Sequence, residues 1–236
     1  MVRIHFNGLK TEDYIHPDEQ LAKEKVEQSD FFKKSLQYIS DVQIKWNASV
    51  IQGSYVQLTA KTAPRVIDIL EETCKILDCT TVPDLYLYHS FSQAVQPYGS
   101  GHPYLLVADY VVDNFDDGML FYLFGNAISM ILAGHVPMTT IAAYMGFNML
   151  TAIPQMEFKR FLHLADMTSD RGGLLACQSI ASAAKCHFLE LGFPLKETNL
   201  LFYNDIAAER YIEKYLKEVH LDESGLNLMN RVAQKV

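Results

Sequence analysis

The sequence has no excess of positive charge. It contains 20 Lys and Arg residues against 28 Asp and Glu residues, which gives a formal net charge of −8 at pH 7. A nucleic-acid-binding protein neutralises phosphates with Lys and Arg, so this composition argues against a nucleic-acid partner. The hydrophobic content of 49% and the length of 236 residues are those of a globular protein with a sizeable core.

Cysteine is scarce and is not arranged in pairs. The chain has four cysteines, Cys74, Cys79, Cys177 and Cys186, and no Cys-x-x-Cys motif. Cys74 and Cys177 lie in apolar segments with helical periodicity, which favours buried free thiols. The first residues also lack the apolar segment of a secretory signal. We therefore expect a reducing, cytoplasmic location.

A long central stretch lacks charge. No Asp, Glu, Lys or Arg occurs between Gly118 and Met156. Gly134 to Pro137 divides this stretch into halves of about 16 to 19 residues, at or below the ~20 needed to span a bilayer. We therefore predict a buried central helix that ends near Gly134, followed by a second, mostly apolar helix over Thr139 to Ile153. Because this second helix is mostly apolar, association with a membrane or with a partner through residues 139–153 stays open as an alternative.

The remaining pattern predicts a single α+β domain, mostly helical with a small sheet. The core is expected at about residues 15–190, followed by a C-terminal helical arm at about residues 195–236. The predicted helices are Gln20 to Ile39, Thr62 to Leu77, the central helix capped by Asp116, Thr139 to Ile153, one or two helices over Glu157 to Ala184, and the mostly helical arm from Leu195 to Gln234. The predicted strands are Asp41 to Leu58, with a bend at Gly53, then Pro83 to Tyr88 and Tyr104 to Val107, with a turn-rich loop over Pro97 to Pro103.

Three segments, in the same order along the chain, resemble one protein family. The first runs from Asp84-Leu-Tyr-Leu-Tyr88 to Tyr98-Gly-Ser-Gly-His-Pro-Tyr-Leu-Leu-Val107. The second is Asp116-Asp-Gly-Met-Leu-Phe-Tyr-Leu-Phe-Gly125, followed by Ile131-Leu-Ala-Gly-His135, and the third is Asp166-Met-Thr-Ser-Asp-Arg-Gly-Gly-Leu-Leu-Ala176. Together they resemble the HtpX-like zinc metallopeptidases, a family of gluzincins, over roughly residues 15 to 190. The resemblance implies a zincin-like fold in which the central helix is the zinc helix.

The zinc-binding motif of that family, His-Glu-x-x-His, is absent from the chain. The resemblance assigns its two His positions to Asn126 and Met130, its general-base Glu to Ala127 and its third zinc ligand to Asp166. A neutral amide and a thioether bind zinc poorly, and an alanine cannot accept a proton. We therefore expect no zinc, no other cofactor and no peptide hydrolysis by the family mechanism.

Other residues near these positions also match the family or are metal ligands by type. Asp170 and Arg171 match the family, in which the pair supports the ligand-bearing helix. His135, His163 and Asp166 are the other nearby residues of ligand type, and His163 and Asp166 share a helical face. A residual metal site made of these three residues stays open as an alternative. His135 is better explained as a helix C-terminal cap or as a satisfied core histidine.

The resemblance indicates a metallopeptidase-like pseudoenzyme that binds a peptide or protein segment. In such proteases an extended substrate pairs its backbone with the edge strand beside the zinc helix. We expect Tyr104, Leu105, Leu106 and Val107 to offer this edge. The predicted role is that of an accessory or regulatory factor, with an active enzyme among its candidate partners. Two alternatives are an active hydrolase or metalloprotease with a non-standard metal site, and a membrane-associated interaction protein.

Overall fold

The computed structural model describes residues 3–38, 49–51, 53–90, 94–99, 103–145 and 152–218. In these residues the fold is mostly helical with one four-stranded mixed sheet, which confirms the predicted α+β class. The helices are α1 (Glu19–Glu27), α2 (Asp30–Tyr38), α3 (Pro64–Ile76), α4 (Asp109–Asn114), α5 (Asp117–Leu132), α6 (Val136–Met145), α7 (Ala152–Cys177), α8 (Ile180–Glu190), α9 (Leu195–Leu201) and α10 (Asp205–Glu218). The strands are β1 (Val56–Leu58), β2 (Asp84–Tyr88), β3 (Val95–Tyr98) and β4 (Tyr104–Ala108), and Thr11–Asp13 forms a short 3-10 helix.

The sheet has the strand order β1-β2-β4-β3. β2 pairs with β1 in the antiparallel sense and with β4 in the parallel sense, and β3 pairs antiparallel to β4. The predicted strands at Pro83 to Tyr88 and Tyr104 to Val107 are confirmed as β2 and β4. All five residues of β4 are buried, so this strand lies in the interior of the sheet.

The central helix α5 has the boundaries that its flanking residues predict. Asp116 is its N-cap, and the side-chain Oδ1 accepts a hydrogen bond from the backbone N–H of Met119 at 2.9 Å. The helix ends at Leu132, just before Gly134, whose φ of +69° lies in the left-handed region that glycine adopts easily. Because α5 is buried on nearly all sides, it is the core helix of the domain rather than a surface helix.

Small residues allow α5 and α7 to cross at short range. A Cβ added to Gly125 would lie 2.4 Å from Cβ of Ala176 and 2.8 Å from the carbonyl oxygen of Gly172. A Cβ added to Gly172 would lie 1.6 Å from Oγ of Ser129. This close crossing sets the position of α7 beside the central helix.

Two sequence predictions of secondary structure are wrong. The single helix predicted over Gln20 to Ile39 is two helices, α1 and α2. The second helix starts with its own hydrogen bond, in which the N–H of Lys33 donates to the carbonyl of Ser29. In the strand predicted over Asp41 to Leu58, residues 49–51, 53 and 54 are helical and only β1 is extended. Ile51 is buried in a cluster with tyrosines of β2 and β4, so tertiary packing overrides its β-branched preference. Residues 41–48 of that prediction lie outside the described residues.

The two helices of the uncharged stretch do not form one membrane span. Within the described residues, no single helix is both long enough and apolar enough to cross a bilayer. The segments Asp117–Leu132 and Val136–Ala142 reach that length and composition only together, and they are bent by 101° relative to each other. The second apolar helix, predicted over Thr139 to Ile153, is present as α6, but it begins earlier, at Val136, and Ile153 belongs to α7. Residues 146–151 lie outside the described part of the chain.

The C-terminal part of the described chain is helical, as predicted. The segment predicted as one or two helices over Glu157 to Ala184 is two helices, and Ser179 caps the second through its side chain. α9 and α10 pack on α8 around Phe188 and Phe202, whose ring centroids are 4.7 Å apart. The arm predicted to Gln234 is described only to residue 218. All four cysteines are free thiols, as expected.

Candidate functional site

A cleft of about 1000 Å³ runs along one side of α5. Tyr122, Asn126 and Met130 line it from the helix. They are spaced four residues apart, so they occupy one helical face about 12 Å long. Asp166 lines the same cleft from α7, and β3 forms another of its walls. The three positions that the resemblance assigns to zinc ligands, Asn126, Met130 and Asp166, therefore come together in one cleft.

The general-base position has a different environment. Ala127 is 1% exposed and belongs to the hydrophobic core instead of lining the cleft. Arg171 donates from Nη1 to the backbone carbonyl of Tyr14 at 3.1 Å, so it ties α7 to the N-terminal segment. Of the two supporting residues predicted from the sequence, Asp170 is the one that contacts the cleft-lining helix α5.

Asp170 anchors a buried polar network beneath the cleft, which we call the cleft network: Asp170, Tyr122, Asn126 and His187. The hydroxyl of Tyr122 donates to Oδ1 of Asp170 at 2.9 Å, and Nδ2 of Asn126 donates to the same oxygen at 3.0 Å. Nε2 of His187 lies 2.7 Å from the Tyr122 hydroxyl, whose single proton is already committed to Asp170. His187 is therefore the donor in that bond. Burial, followed by the negative charge of Asp170, raises the pKa of Tyr122 well above its usual value.

Glu190 lies beside this network, on the open side of the cleft. Its Oε2 is 3.6 Å from Nδ1 of His187, and its side chain is 60% exposed. Glu190 lines the cleft at the end of α8, whereas His187 is only 4% exposed. Nδ1 of His187 has no hydrogen-bond partner among the described residues, so the hydrogen-bonded network ends at His187.

The strand that borders the cleft is β3, and it lies at one end of the four-stranded sheet among the described residues. Five consecutive residues, 94–98, line the cleft, so residues from both faces of the strand contribute. Because side chains alternate between the two faces of a strand, this pattern indicates that β3 presents its edge to the cleft.

The prediction that Tyr104, Leu105, Leu106 and Val107 offer a free edge is wrong. These residues belong to β4, which has β2 on one side and β3 on the other. β3 is not predicted from the sequence, because Pro97 and the glycines after it predict a turn. Proline is tolerated in an edge strand when its nitrogen points away from the neighbouring strand.

The register shows which backbone groups of β3 point away from β4. The N–H of Ala108 donates to the carbonyl of Ala94 at 2.9 Å, so these two residues form a hydrogen-bonded pair. In the antiparallel register, residues 96 and 98 form hydrogen-bonded pairs with β4 in the same way. Since hydrogen-bonded and non-hydrogen-bonded pairs alternate, the backbone groups of Val95 and Pro97 point outward. The outward groups are therefore the N–H of Val95 and the carbonyls of Val95 and Pro97.

Gln96 adds a polar group to this wall. Its Oε1 accepts a hydrogen bond from the hydroxyl of Tyr98. Its Nε2 is buried and has no hydrogen-bond partner among the described residues. A buried donor without an acceptor costs about 1–3 kcal/mol, so a ligand that brings an oxygen to this point would remove the penalty.

The structure does not bring the alternative metal ligands together. His135 is fully buried, and its Nε2 lies 2.6 Å from Oε1 of Glu19, which is also buried. His135 is therefore a core histidine, as the sequence suggests, but it is satisfied only at Nε2, because its buried Nδ1 has no hydrogen-bond partner among the described residues. Within the described residues, no three His, Cys, Asp or Glu side chains form a group that could hold a metal ion, and the set of His135, His163 and Asp166 is among those tested.

The donor set of the cleft also does not fit the zinc that the resemblance would imply. Asn126 offers an amide that is already hydrogen-bonded to Asp170, and Met130 offers a thioether. Of these three positions, only Asp166 supplies a carboxylate that zinc binds well. The cleft can accept and donate hydrogen bonds, bind apolar side chains and attract cations through the carboxylates of Asp166 and Glu190.

Sequence reasoning missed His187, Glu190 and β3 as parts of the site. His187 lies on an apolar helix 65 residues beyond its partner Tyr122, with no motif around it.

Comparison of the chain with protein-family models, with curated proteins and with solved structures found no match.

Proposed function

We propose that this protein is a catalytically inactive, metallopeptidase-like protein that binds an extended peptide or protein segment in the cleft between β3 and α5. One observation carries the proposal. The three positions that the HtpX-like resemblance assigns to zinc ligands line a single cleft, and they hold an amide, a thioether and one carboxylate. On this proposal the cleft is a zincin-like peptide groove that lacks the ligands and the base that hydrolysis requires.

The edge of β3 supplies the means of binding. An extended segment beside β3 would exchange two hydrogen bonds with Val95 and donate a third to the carbonyl of Pro97, which is recognition by strand addition. Nε2 of Gln96, which has no hydrogen-bond partner among the described residues, offers one more donor. Side chains of the bound segment would then lie over the neutral floor of Asn126 and Met130. The protein would bind and release its partner, which is the behaviour of an accessory or regulatory factor.

The first experiment tests the edge of β3. Labelled, blocked octapeptides from a positional library are titrated against the protein, and binding is followed by fluorescence anisotropy. Val95→Pro removes the outward N–H and leaves the pairing with β4 intact, whereas Val95→Ala keeps the N–H as a matched control. We expect Val95→Pro to weaken binding by roughly tenfold and Val95→Ala to change it little, since one hydrogen bond is worth about 0.5–1.5 kcal/mol. Equal affinities for the two variants would overturn binding at this edge.

Mass spectrometry of the same mixtures tests the absence of catalysis. We expect every bound octapeptide to be recovered intact after prolonged incubation. Cleavage that follows the protein through purification, and that is lost in a cleft variant, would replace the binding proposal with an enzymatic one.

The second experiment tests the zincin-like geometry by restoring the ligands. The triple variant Asn126→His, Met130→His and Asp166→Glu is expected to bind one zinc per chain in elemental analysis. The control carries Leu132→His in place of Met130→His, which moves one imidazole off the cleft face of α5. Circular dichroism checks the fold of both variants. If the triple variant binds no more zinc than the control, the zincin-like interpretation fails.

A further inference from the structure

The walls of the cleft carry charge of one sign. Asp166 and Glu190 line it, and the described residues that line it include no Lys, Arg or His. Asp170 lies directly behind the floor, where its Oδ1 accepts hydrogen bonds from Tyr122 and Asn126. Those two donors are neutral groups that orient the carboxylate, and Nε2 of His187 lies 4.0 Å from the same oxygen.

The carboxylates approach the cleft from separate elements. Asp166 lies on α7, one helical turn before Asp170, and Glu190 ends α8 beside His187. The face of α5 that lines the cleft, from Tyr122 to Met130, is about 12 Å long. An extended peptide advances about 3.3 Å per residue, so roughly four residues cover the floor.

We propose that the peptide bound in this cleft carries basic side chains, Lys or Arg, spaced about four residues apart. This inference rests on the proposed peptide-binding function and names the chemistry of its ligand. A cation in a partly enclosed cleft is attracted more strongly by these carboxylates than it would be in water. The rings of Tyr98 and Tyr110, which also line the cleft, present further surfaces that attract cations. An acidic peptide would meet repulsion from the same groups, so charge sets the specificity.

The test uses three blocked, fluorescently labelled octapeptides with one scaffold. The basic probe is Thr-Val-Lys-Val-Thr-Val-Lys-Val, and the neutral and acidic probes carry Gln or Glu at both Lys positions. Binding to the full chain is measured by anisotropy at low salt and again at high salt. We expect the basic probe to bind roughly tenfold more tightly than the neutral one, with the acidic probe weakest, and we expect salt to reduce this preference.

Charge variants locate the effect. Asp166→Asn with Glu190→Gln should lower the affinity of the basic probe to that of the neutral probe. The control Glu209→Gln with Glu213→Gln removes the same net charge from exposed positions of α10 that do not line the cleft. This control should keep the preference for the basic probe.

The outcomes separate the two proposals. Equal binding of the basic and neutral probes would overturn the charge preference and leave peptide binding standing. A basic preference that survives Asp166→Asn with Glu190→Gln would overturn its assignment to this cleft. If none of the three probes binds, and no member of the positional library binds either, the peptide-binding function itself is overturned.

Discussion

Two buried polar networks attach α7 to the rest of the protein, and they differ in what lies beyond them. The first, which we call the interior network, joins Glu19 of α1, Thr168 of α7 and His135, which follows α5. Oε1 of Glu19 lies 2.6 Å from Nε2 of His135, and Oε2 accepts a hydrogen bond from the Thr168 hydroxyl. All three side chains are at most 1% exposed.

The cleft network is equally well connected, but it opens toward solvent. Asn126 is half-buried in the cleft wall, and Glu190 reaches the surface beside His187. The interior network joins three separate parts of the chain and offers no group to a ligand. The comparison shows that burial and hydrogen bonding do not by themselves indicate function. The cleft network differs from the interior network in that two of its members, Tyr122 and Asn126, also line a cleft.

The largest expected effect comes from breaking the interior network. Glu19→Ala leaves His135 and Thr168 without their partner in a water-free site, and we expect it to lower the free energy of unfolding by about 3–5 kcal/mol. Asp18→Asn, an exposed acid one residue earlier, is the control and should have little effect. Urea denaturation followed by circular dichroism measures both variants. A loss below about 1 kcal/mol for Glu19→Ala would show that the interior network is not a main attachment of α7.

Breaking the cleft network should lower the free energy of unfolding by less. Asp170→Asn removes the charged acceptor shared by Tyr122 and Asn126, although the new amide oxygen can still accept one hydrogen bond. We expect a loss of about 1–3 kcal/mol in the same denaturation assay. Asp68→Asn, at an exposed position of α3, serves as the control and should stay within about 0.5 kcal/mol of the parent protein. A loss for Asp170→Asn as large as that for Glu19→Ala would remove the distinction between the two networks.

The sequence predicts the framework of the fold better than its connections. The boundaries of α5 follow from Asp116 and Gly134, because a cap and a left-handed glycine are local signals. β2 and β4 also follow from local patterns. β3 does not, since Pro97 indicates a turn unless the neighbouring strand is known. The helix near Ile51 depends on packing against tyrosines of β2 and β4, which no local pattern reveals.

The candidate site is predictable where a motif fixes relative positions. Asn126, Met130 and Asp166 were placed together by their spacing relative to a known pattern, and the structure brings them into one cleft. His187 could not be found in this way, because its partner Tyr122 lies on another helix and the crossing of α5, α7 and α8 sets the contact. Periodicity predicts which face of a helix is buried, but it does not predict what that face will meet.

The smallest expected effect probes the hydroxyl at the centre of the cleft network. Tyr122→Phe removes the donor to Asp170 and leaves the ring in place, so we expect a loss of about 1–2 kcal/mol near pH 8. Tyr203→Phe, at a residue that is 70% exposed, is the control and should have no measurable effect. The pH dependence tests the environment of the hydroxyl.

In the folded protein, burial and Asp170 raise the pKa of Tyr122, so its proton stays bound at a pH where the unfolded chain releases it. Above about pH 10 the unfolded state therefore binds fewer protons than the folded state, and the free energy of unfolding of the parent protein falls as the pH rises. Tyr122→Phe has no hydroxyl at this position, so its free energy of unfolding does not show this fall. The stability difference between the parent protein and Tyr122→Phe should accordingly shrink between about pH 8 and pH 10.5, by at most about 1.4 kcal/mol per pH unit above 10. A difference that stays constant over this range would mean that water reaches the Tyr122 hydroxyl and that this part of the cleft network is accessible to solvent.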